Sequence, residues 1–443
     1  MFTSSVLICS LLLLTSPVHM FADSVRHNAP NVVADWAAIV QPAIHKASVP
    51  RSGGTAQILH TIVMLAVYDA TMAIEGGYRP YAADIRAPRH ADVRAAVATA
   101  AYLAARARVA ESQYAYLDEQ YVTYLANIPD DDAKNKGIRV GAEAAVAMLA
   151  LRANDGFDNV VPYVCSVVPP PVGEFEPDTG CPTVPTDPQP ADAKVGRIQP
   201  FTFSDPSRLR PRGPSPLSSA TYTADFIETR DFGRADSVVR SPEQTDVAYF
   251  WSEHPYVFWN RNLINLAISR GLNVRETARF FALVHTATSD AVIAGFEAKY
   301  FYTAWRPRTA IPQAAMDGNP DTDSDPYWTP LLQVNHPEYP SGHGFWSTAV
   351  TDAVASFFRT DRVRWTLVAS KVAVPQLVRT ERTYDDLNGI MREVDNARVW
   401  AGLHWRHSMR DGAKIGRAVV RHVARNFFRP MRCHWLSAGR PCR

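Results

Sequence analysis

"GTAQILHTIVMLAVYDATMAI", residues 54–74, decides the fold. Apolar residues recur every three or four positions over a length that strands seldom reach, which is the signature of a helix. "ADVRAAVATAAYLAARARVA" (residues 91–110) repeats the pattern, and so does "AKNKGIRVGAEAAVAMLALRAND" (133–155), which stops at Asp155-Gly156. Farther along, helical patterning returns in blocks at 245–270, 274–303, 345–358, 384–400 and 411–427. Alternating Val/Ile/Thr runs closed by tight turns are nearly absent. The expected fold class is all-α: helical bundles, in two four-helix-bundle-like halves, with one long Pro-rich insertion.

That insertion is residues 162–216, which hold 14 of the chain's 33 prolines and no helical period. Cys165 and Cys181 lie inside it, and linkers rarely carry a disulfide, so it reads as ordered and stapled. Residues 6–18 (VLICSLLLLTSPV) form an apolar run of signal-peptide length, with Ala22 a plausible cleavage point. Cys9 would leave with that segment. Four cysteines then remain, and four allow three pairings. The local one, Cys165–Cys181 and Cys433–Cys442, is the choice made here. The resulting division is 1–22 signal peptide, 23–244 N-terminal helical region with the insertion, 245–430 C-terminal catalytic bundle, and 431–443 tail.

An export signal and paired cysteines point to a secreted or periplasmic protein. After the signal no stretch reads as apolar enough to span a membrane, so a soluble mature chain is expected. A net charge of +2 offers no general attraction for nucleic acid. The acidic run "DGNPDTDSD", residues 317–325, lacks the glycine and terminal glutamate of a calcium loop and reads as a solvated turn.

Three segments carry unusual chemistry. In "KYFYTAWRP" (299–307), Lys299 and Arg306 are seven apart, and Pro307 should end the helix near Arg306. In "HPEYPSGHG" (336–344), Ser341 brings a hydroxyl, Gly342 an approachable N–H and His343 a group titrating near neutrality. The helical pattern just after it puts this turn at a helix N-terminus, where anions are favoured. In "ARVWAGLHWRHSMRDG" (397–412), Arg398 and His404 would point about 120° apart on one regular helix, and Gly402 is the candidate break that lets them converge. Alone, each has a plain reading: a basic solvated face, a capped helix start, a structural histidine. Together they offer three cations, a hydroxyl, an amide and two histidines, a set suited to a tetrahedral oxyanion.

These segments resemble the K-x6-RP, PSGH and SR-x5-H signature shared by vanadium-dependent haloperoxidases and the type 2 phosphatidic acid phosphatase (PAP2) superfamily. The likeness is to the soluble bacterial haloperoxidase-like branch. Order and spacing match, with Ala397 standing where serine is usual. The resemblance implies vanadate, or phosphate, held by Lys299, Arg306, Ser341, Gly342 and Arg398. It implies His404 as the vanadium ligand and His343 as the acid–base group, the two forming the catalytic pair. The activity implied is oxidation of a halide by hydrogen peroxide to a hypohalous species that halogenates a small organic substrate.

Two alternatives stay open: a secreted acid phosphatase with His404 as nucleophile, and a non-catalytic phosphate-binding protein. Against the phosphatase, its pattern continues H-x3-D, and here Ser408 occupies that place, with Asp411 three residues on. The second nitrogen of His404 therefore has no evident partner in the sequence. His336 and Phe296 fall where members of the family tune halide choice, and the histidine favours bromide or iodide over chloride. A simple surface contact for His336 is the other reading.

Overall fold

The computed structural model describes residues 31–46, 51–165, 167–184 and 186–431. The signal-peptide segment and the Cys433–Cys442 pairing lie outside the described residues. From Asn31 onward the chain forms α1 (Val32–His45), α2 (Gly53–Glu75), α3 (Val93–Arg106), α4 (Tyr114–Ala126) and α5 (Asp132–Leu151). After the insertion come α6 (Ala220–Gly233), α7 (Pro242–Phe250), α8 (Pro255–Ser269), α9 (Val274–Tyr302) and the single turn α10 (Pro307–Ala310). The last elements are α11 (Gly342–Phe358), β1 (Trp365–Val368), β2 (Glu381–Tyr384), α12 (Leu387–Trp400) and α13 (Arg406–Asn426). The fold is all-α, and the antiparallel pair β1–β2 is the one sheet among the described residues.

Helix α2 and helix α9 form the centre, buried on almost every side and sharing one core with α1, α3, α11 and α13. Apolar residues all round a helix mean a buried one. By length and composition α2 could cross a membrane, so the expectation that no later stretch is apolar enough is corrected; 89% of its apolar window is buried inside the protein. Its N-terminus is capped by a carboxylate from far along the chain: Asp192, in the insertion, accepts from Ser52 Oγ and from Gly54 N.

The insertion is ordered by such polar ties rather than by helices. Cys165 and Cys181 are disulfide-bonded. Asp290, buried on α9, accepts from the amides of Phe201 at 2.6 Å and Thr202 at 3.1 Å; burial raises its carboxyl to about 6. Beyond α9, Phe175 N donates to Thr303 O and Trp305 N donates to Gly173 O at 2.9 Å. The Pro-rich stretch thus grips the strand of chain that leads from Lys299 to Arg306.

Three boundaries differ from expectation. The block at 245–270 is two helices, because Pro255 opens α8 and holds His254 out of helical geometry (ψ 116°). The division drawn at 244/245 falls inside α7. Residues 381–384 pair as a strand before α12 begins at Leu387. Helix α6 was not foreseen at all: in "ATYTADFIETRDFG" polar and apolar residues are spread evenly round the helix, so no period stands out. Its one sequence cue is Ser219, whose hydroxyl accepts from Tyr222 N as the N-cap.

Helices α11 and α13 cross at close range, which sets the site. A Cβ added at Gly412 would lie 2.6 Å from the carbonyl oxygen of Ser341, the N-cap of α11. Gly412→Ala should therefore lower stability by about 1–3 kcal/mol, the usual cost of overpacking. Denaturant unfolding followed by tryptophan fluorescence checks this, and an unchanged midpoint contradicts the close crossing.

Candidate active site

The three motif segments meet at one place. Lys299 sits in the last turn of α9, which ends at Tyr302; Thr303 turns left-handed (φ 45°) and Arg306 becomes the N-cap of α10. Ser341 is the N-cap of α11, its hydroxyl taking Gly344 N at 3.4 Å, and Gly342 is the first helical residue. Arg398 lies in the last turn of α12, and Gly402 (φ 73°) reverses the chain so that His404 returns to the same side. The predicted breaks after Lys299 and before His404 are both present. All seven residues of the signature are brought together.

Backbone bonds stitch the segments. Glu338 N donates to Ala304 O at 2.9 Å, and Ser341 N donates to Ser408 O at 3.1 Å. The cations add their own ties. Lys299 Nζ donates to the carbonyls of Pro337 (2.8 Å) and Glu338 (2.9 Å). Arg306 donates to His336 O at 2.6 Å and Leu403 O at 2.8 Å, and Arg398 donates to Trp251 O at 2.8 Å. Lys299, Arg306 and Arg398 are all buried, and so is His404.

Such crowding shifts the titrations. Burial, with help from neighbouring cations, holds Lys299 well below the ordinary lysine range. Burial lowers Arg306 to about 10, and burial with Arg306 nearby lowers Arg398 to about 9. His404 is pushed well below 6.5 by burial and then by Arg306, Lys299 and Arg398. His343, half-buried, is lowered by burial and by Arg398. Both imidazoles are neutral in the bare site. A buried charge needs a partner or it costs several kcal/mol. Here three cations face one buried carboxylate, Glu338.

Glu338 is the residue that the sequence reading missed. Its Oε1 lies 2.7 Å from His404 Nδ1 and also accepts Trp405 N at 3.1 Å. The carboxylate takes the Nδ1–H, which leaves a lone pair on Nε2 of the neutral ring. The partner that Ser408 could not supply therefore comes from the middle of "HPEYPSGHG". Asp411 plays no such part, since it accepts from Tyr339 at 2.7 Å and from Lys414 at 2.6 Å. The cue was present in the sequence: an acidic residue three before Ser341, in a segment already assigned to the site.

His336 is at the site and not in a simple surface contact. Its Nδ1 lies 3.0 Å from Arg306 Nη2 and 3.1 Å from the carbonyl oxygen of Pro337. Its ring meets Phe296 edge-on at 5.5 Å. Farther back, His407 is buried and held by Asp225 of α6 at 2.6 Å, while Arg410 is exposed.

The donor set fits a tetrahedral oxyanion on two observations. Arg398 Nε is buried without a partner. At Gly342 an added Cβ would meet only Lys299 and Phe345, both at 3.9 Å, so the glycine leaves open space over the start of α11. Vanadate and phosphate are both of this class.

Comparison with known proteins agrees with the geometry. Residues 279–432 match the family model described as the VCPO second helical-bundle domain. The chain is 26% identical over 269 residues to the vanadium chloroperoxidase of Curvularia inaequalis, a match covering 46% of this chain and 42% of that protein. It thus spans less than half the length of that relative. Among solved structures, the first bacterial vanadium-dependent iodoperoxidase superposes with TM-score 0.72 at 19% identity, over 90% of this chain and 95% of that one. A holo-type bacterial vanadium-dependent chloroperoxidase gives 0.69 at 19% identity, over 89% and 97%. Over residues 279–432 in sequence, and in its fold, the chain resembles the vanadium haloperoxidases.

Charge-assisted hydrogen bonds to an oxyanion contribute roughly 1.5–3 kcal/mol each. Arg398→Ala should weaken orthovanadate and inorganic phosphate binding by about 10- to 100-fold in calorimetric titration. Unchanged affinity would remove Arg398 from the anion's shell.

Proposed function

We propose that this protein is a vanadate-dependent haloperoxidase that uses hydrogen peroxide to oxidise a halide, bromide or iodide before chloride. The resulting hypohalous species halogenates a small organic molecule. The observation that carries the reading is the His404 Nε2 lone pair, fixed by Glu338 and facing a pocket of three buried cations. The match of residues 279–432 to the VCPO second helical-bundle domain supports it.

In this reading Lys299, Arg306 and Arg398, the Ser341 hydroxyl and the Gly342 N–H hold the oxygens of vanadate, and His404 Nε2 is the ligand to the metal. Bound vanadate supplies the Lewis-acid centre at which peroxide is activated toward the halide. The chain's own residues do the remaining work. Positive charge at fixed positions offsets the anion's charge without reorganisation. His343, neutral in the bare site, accepts a proton from the incoming peroxide and returns it at a later step. Glu338 keeps His404 in the tautomer whose Nε2 can bind. His336, beside Phe296, gives the halide a polar edge and an aromatic wall, and a softer halide loses less hydration on entering. Export to a secreted or periplasmic location belongs to the same proposal.

One observation favours a second reading. Glu338 supplies the orienting carboxylate that a phosphatase needs, so Ser408 does not count against His404 as a nucleophile toward phosphate. A paired assay separates the two. The purified protein with orthovanadate, hydrogen peroxide and bromide should brominate a phenolic dye. Turnover of a phosphomonoester alone, with vanadate acting only as inhibitor, would sink the peroxidase. His404→Ala should lose both vanadate retention and bromination. Glu338→Gln, which keeps the shape but weakens the grip on Nδ1, should cost about 10- to 100-fold in bromination rate; wild-type rates in that variant would remove its positioning role.

A further inference from the structure

A cavity of about 210 Å³ has walls that include Tyr222, Trp305, Trp405, Leu217, His407 and Glu338. His404, Lys299 and His343 are not among its lining residues, so it is distinct from the oxyanion site. Its mouth is the segment around Pro214 and Pro216, both exposed, at the end of the Pro-rich insertion.

Two features give this cavity a chemistry. The walls are mainly aromatic and aliphatic: Tyr222, Trp305 and Trp405 belong to one buried cluster, and Leu217 packs against it. Into this setting Tyr222 brings a hydroxyl that is buried without a hydrogen-bond partner. Glu338 is wholly buried, and its second oxygen, Oε2, likewise has no hydrogen-bond partner. Burial pushes the Glu338 carboxyl up, an effect that neighbouring cations and the Ser408 hydroxyl partly offset; Ser408 Oγ itself has no hydrogen-bond partner. His407 is already committed, with Nδ1 on Asp225 and Nε2 taking Ser215 N at 3.3 Å.

An unpartnered buried hydroxyl costs about 1–3 kcal/mol, so the fold gains by giving it an acceptor. Bulk water is a poor filler. The cavity has room for about seven waters at their liquid volume of roughly 30 Å³, and each needs two to four polar partners that these walls do not offer. A single aromatic ring fits better: benzene occupies an engineered protein cavity of roughly 150 Å³. The best match is a ring with one hydroxyl, whose oxygen accepts from Tyr222 while its own proton goes to the carboxylate.

We propose that this cavity is a binding site for a single-ring phenol, entered past Pro214 and Pro216. The ring lies among Trp305, Trp405 and Leu217, and the hydroxyl bridges Tyr222 and Glu338. The site stands whatever reaction the oxyanion pocket performs, since Glu338 is the residue the two share.

The test is calorimetric and ligand-observed NMR titration of the full chain with phenol and, as the ring without the hydroxyl, toluene. One phenol per chain should bind saturably. Toluene, which makes neither of the two hydrogen bonds, should bind about 10- to 100-fold more weakly. Tyr222→Phe, which keeps the bond to Glu338, should weaken phenol by about 2- to 10-fold and leave toluene unchanged, and Leu217→Trp, which fills the partly buried edge of the cavity, should abolish both. Circular dichroism and the unfolding midpoint establish that each variant is folded. No saturable phenol binding at millimolar concentration, or wild-type binding in folded Leu217→Trp, overturns the site. Equal phenol affinity in wild type and Tyr222→Phe overturns the hydroxyl bridge. A phenol-soaked crystal with only water in the cavity overturns the proposal outright.

Discussion

Three buried cations against one buried carboxylate is the constraint that the rest of the structure accommodates. Lys299, Arg306 and Arg398 come from three helix ends, and each is tied to main-chain carbonyls rather than to acidic side chains. Carbonyl dipoles steady a cation without cancelling its charge. The site therefore keeps an excess of positive charge in a region shielded from water, where Coulomb interactions are strong. An oxyanion that enters meets donors already in place. The cost of holding like charges together is met by the close crossing of α11 and α13 and by the insertion that pins residues 303–305.

Much of this was legible in the sequence. Periodic apolar residues identified α2, α3, α5, α9 and α13, because each buries a broad face and the spacing records it. Gly402 marked one of the two helix breaks that let the signature residues converge; Pro307 pointed to the other but opens the next turn, and the break itself falls earlier, at the left-handed Thr303. What stayed hidden depends on contacts across long separations. Helix α6 has no apolar stripe, yet it delivers Asp225 to His407. The Asp192 cap on α2 joins residues far apart in the chain and leaves no local trace. Pairing of β1 with β2 follows from four residues on each side, too few for alternation to stand out.

Glu338 shows how a functional position can be filled from a different direction. The residue four after His404 is serine, and a reading that looks only there finds no carboxylate for Nδ1. The same tie is made by a residue 66 positions earlier, at 2.7 Å. A hydrogen bond depends on where the acceptor atom stands and not on which segment brings it. That replacement has two consequences. It fixes the tautomer of His404 with a group that also helps neutralise the cations, and it leaves the oxyanion site equally suited, in its bare geometry, to vanadate and to phosphate. Chemistry at the site then rests on which oxyanion it retains.

The central claim is that the buried excess of positive charge exists to receive an oxyanion. It is tested most directly by the thermal unfolding of the wild-type chain with and without orthovanadate. An anion that binds only the folded state stabilises it by roughly 2.7 kcal/mol at one hundred times its Kd. The midpoint should rise by a few degrees with orthovanadate and with phosphate, and not with chloride at equal ionic strength. A midpoint that responds to none of them, or to all alike, would contradict the account.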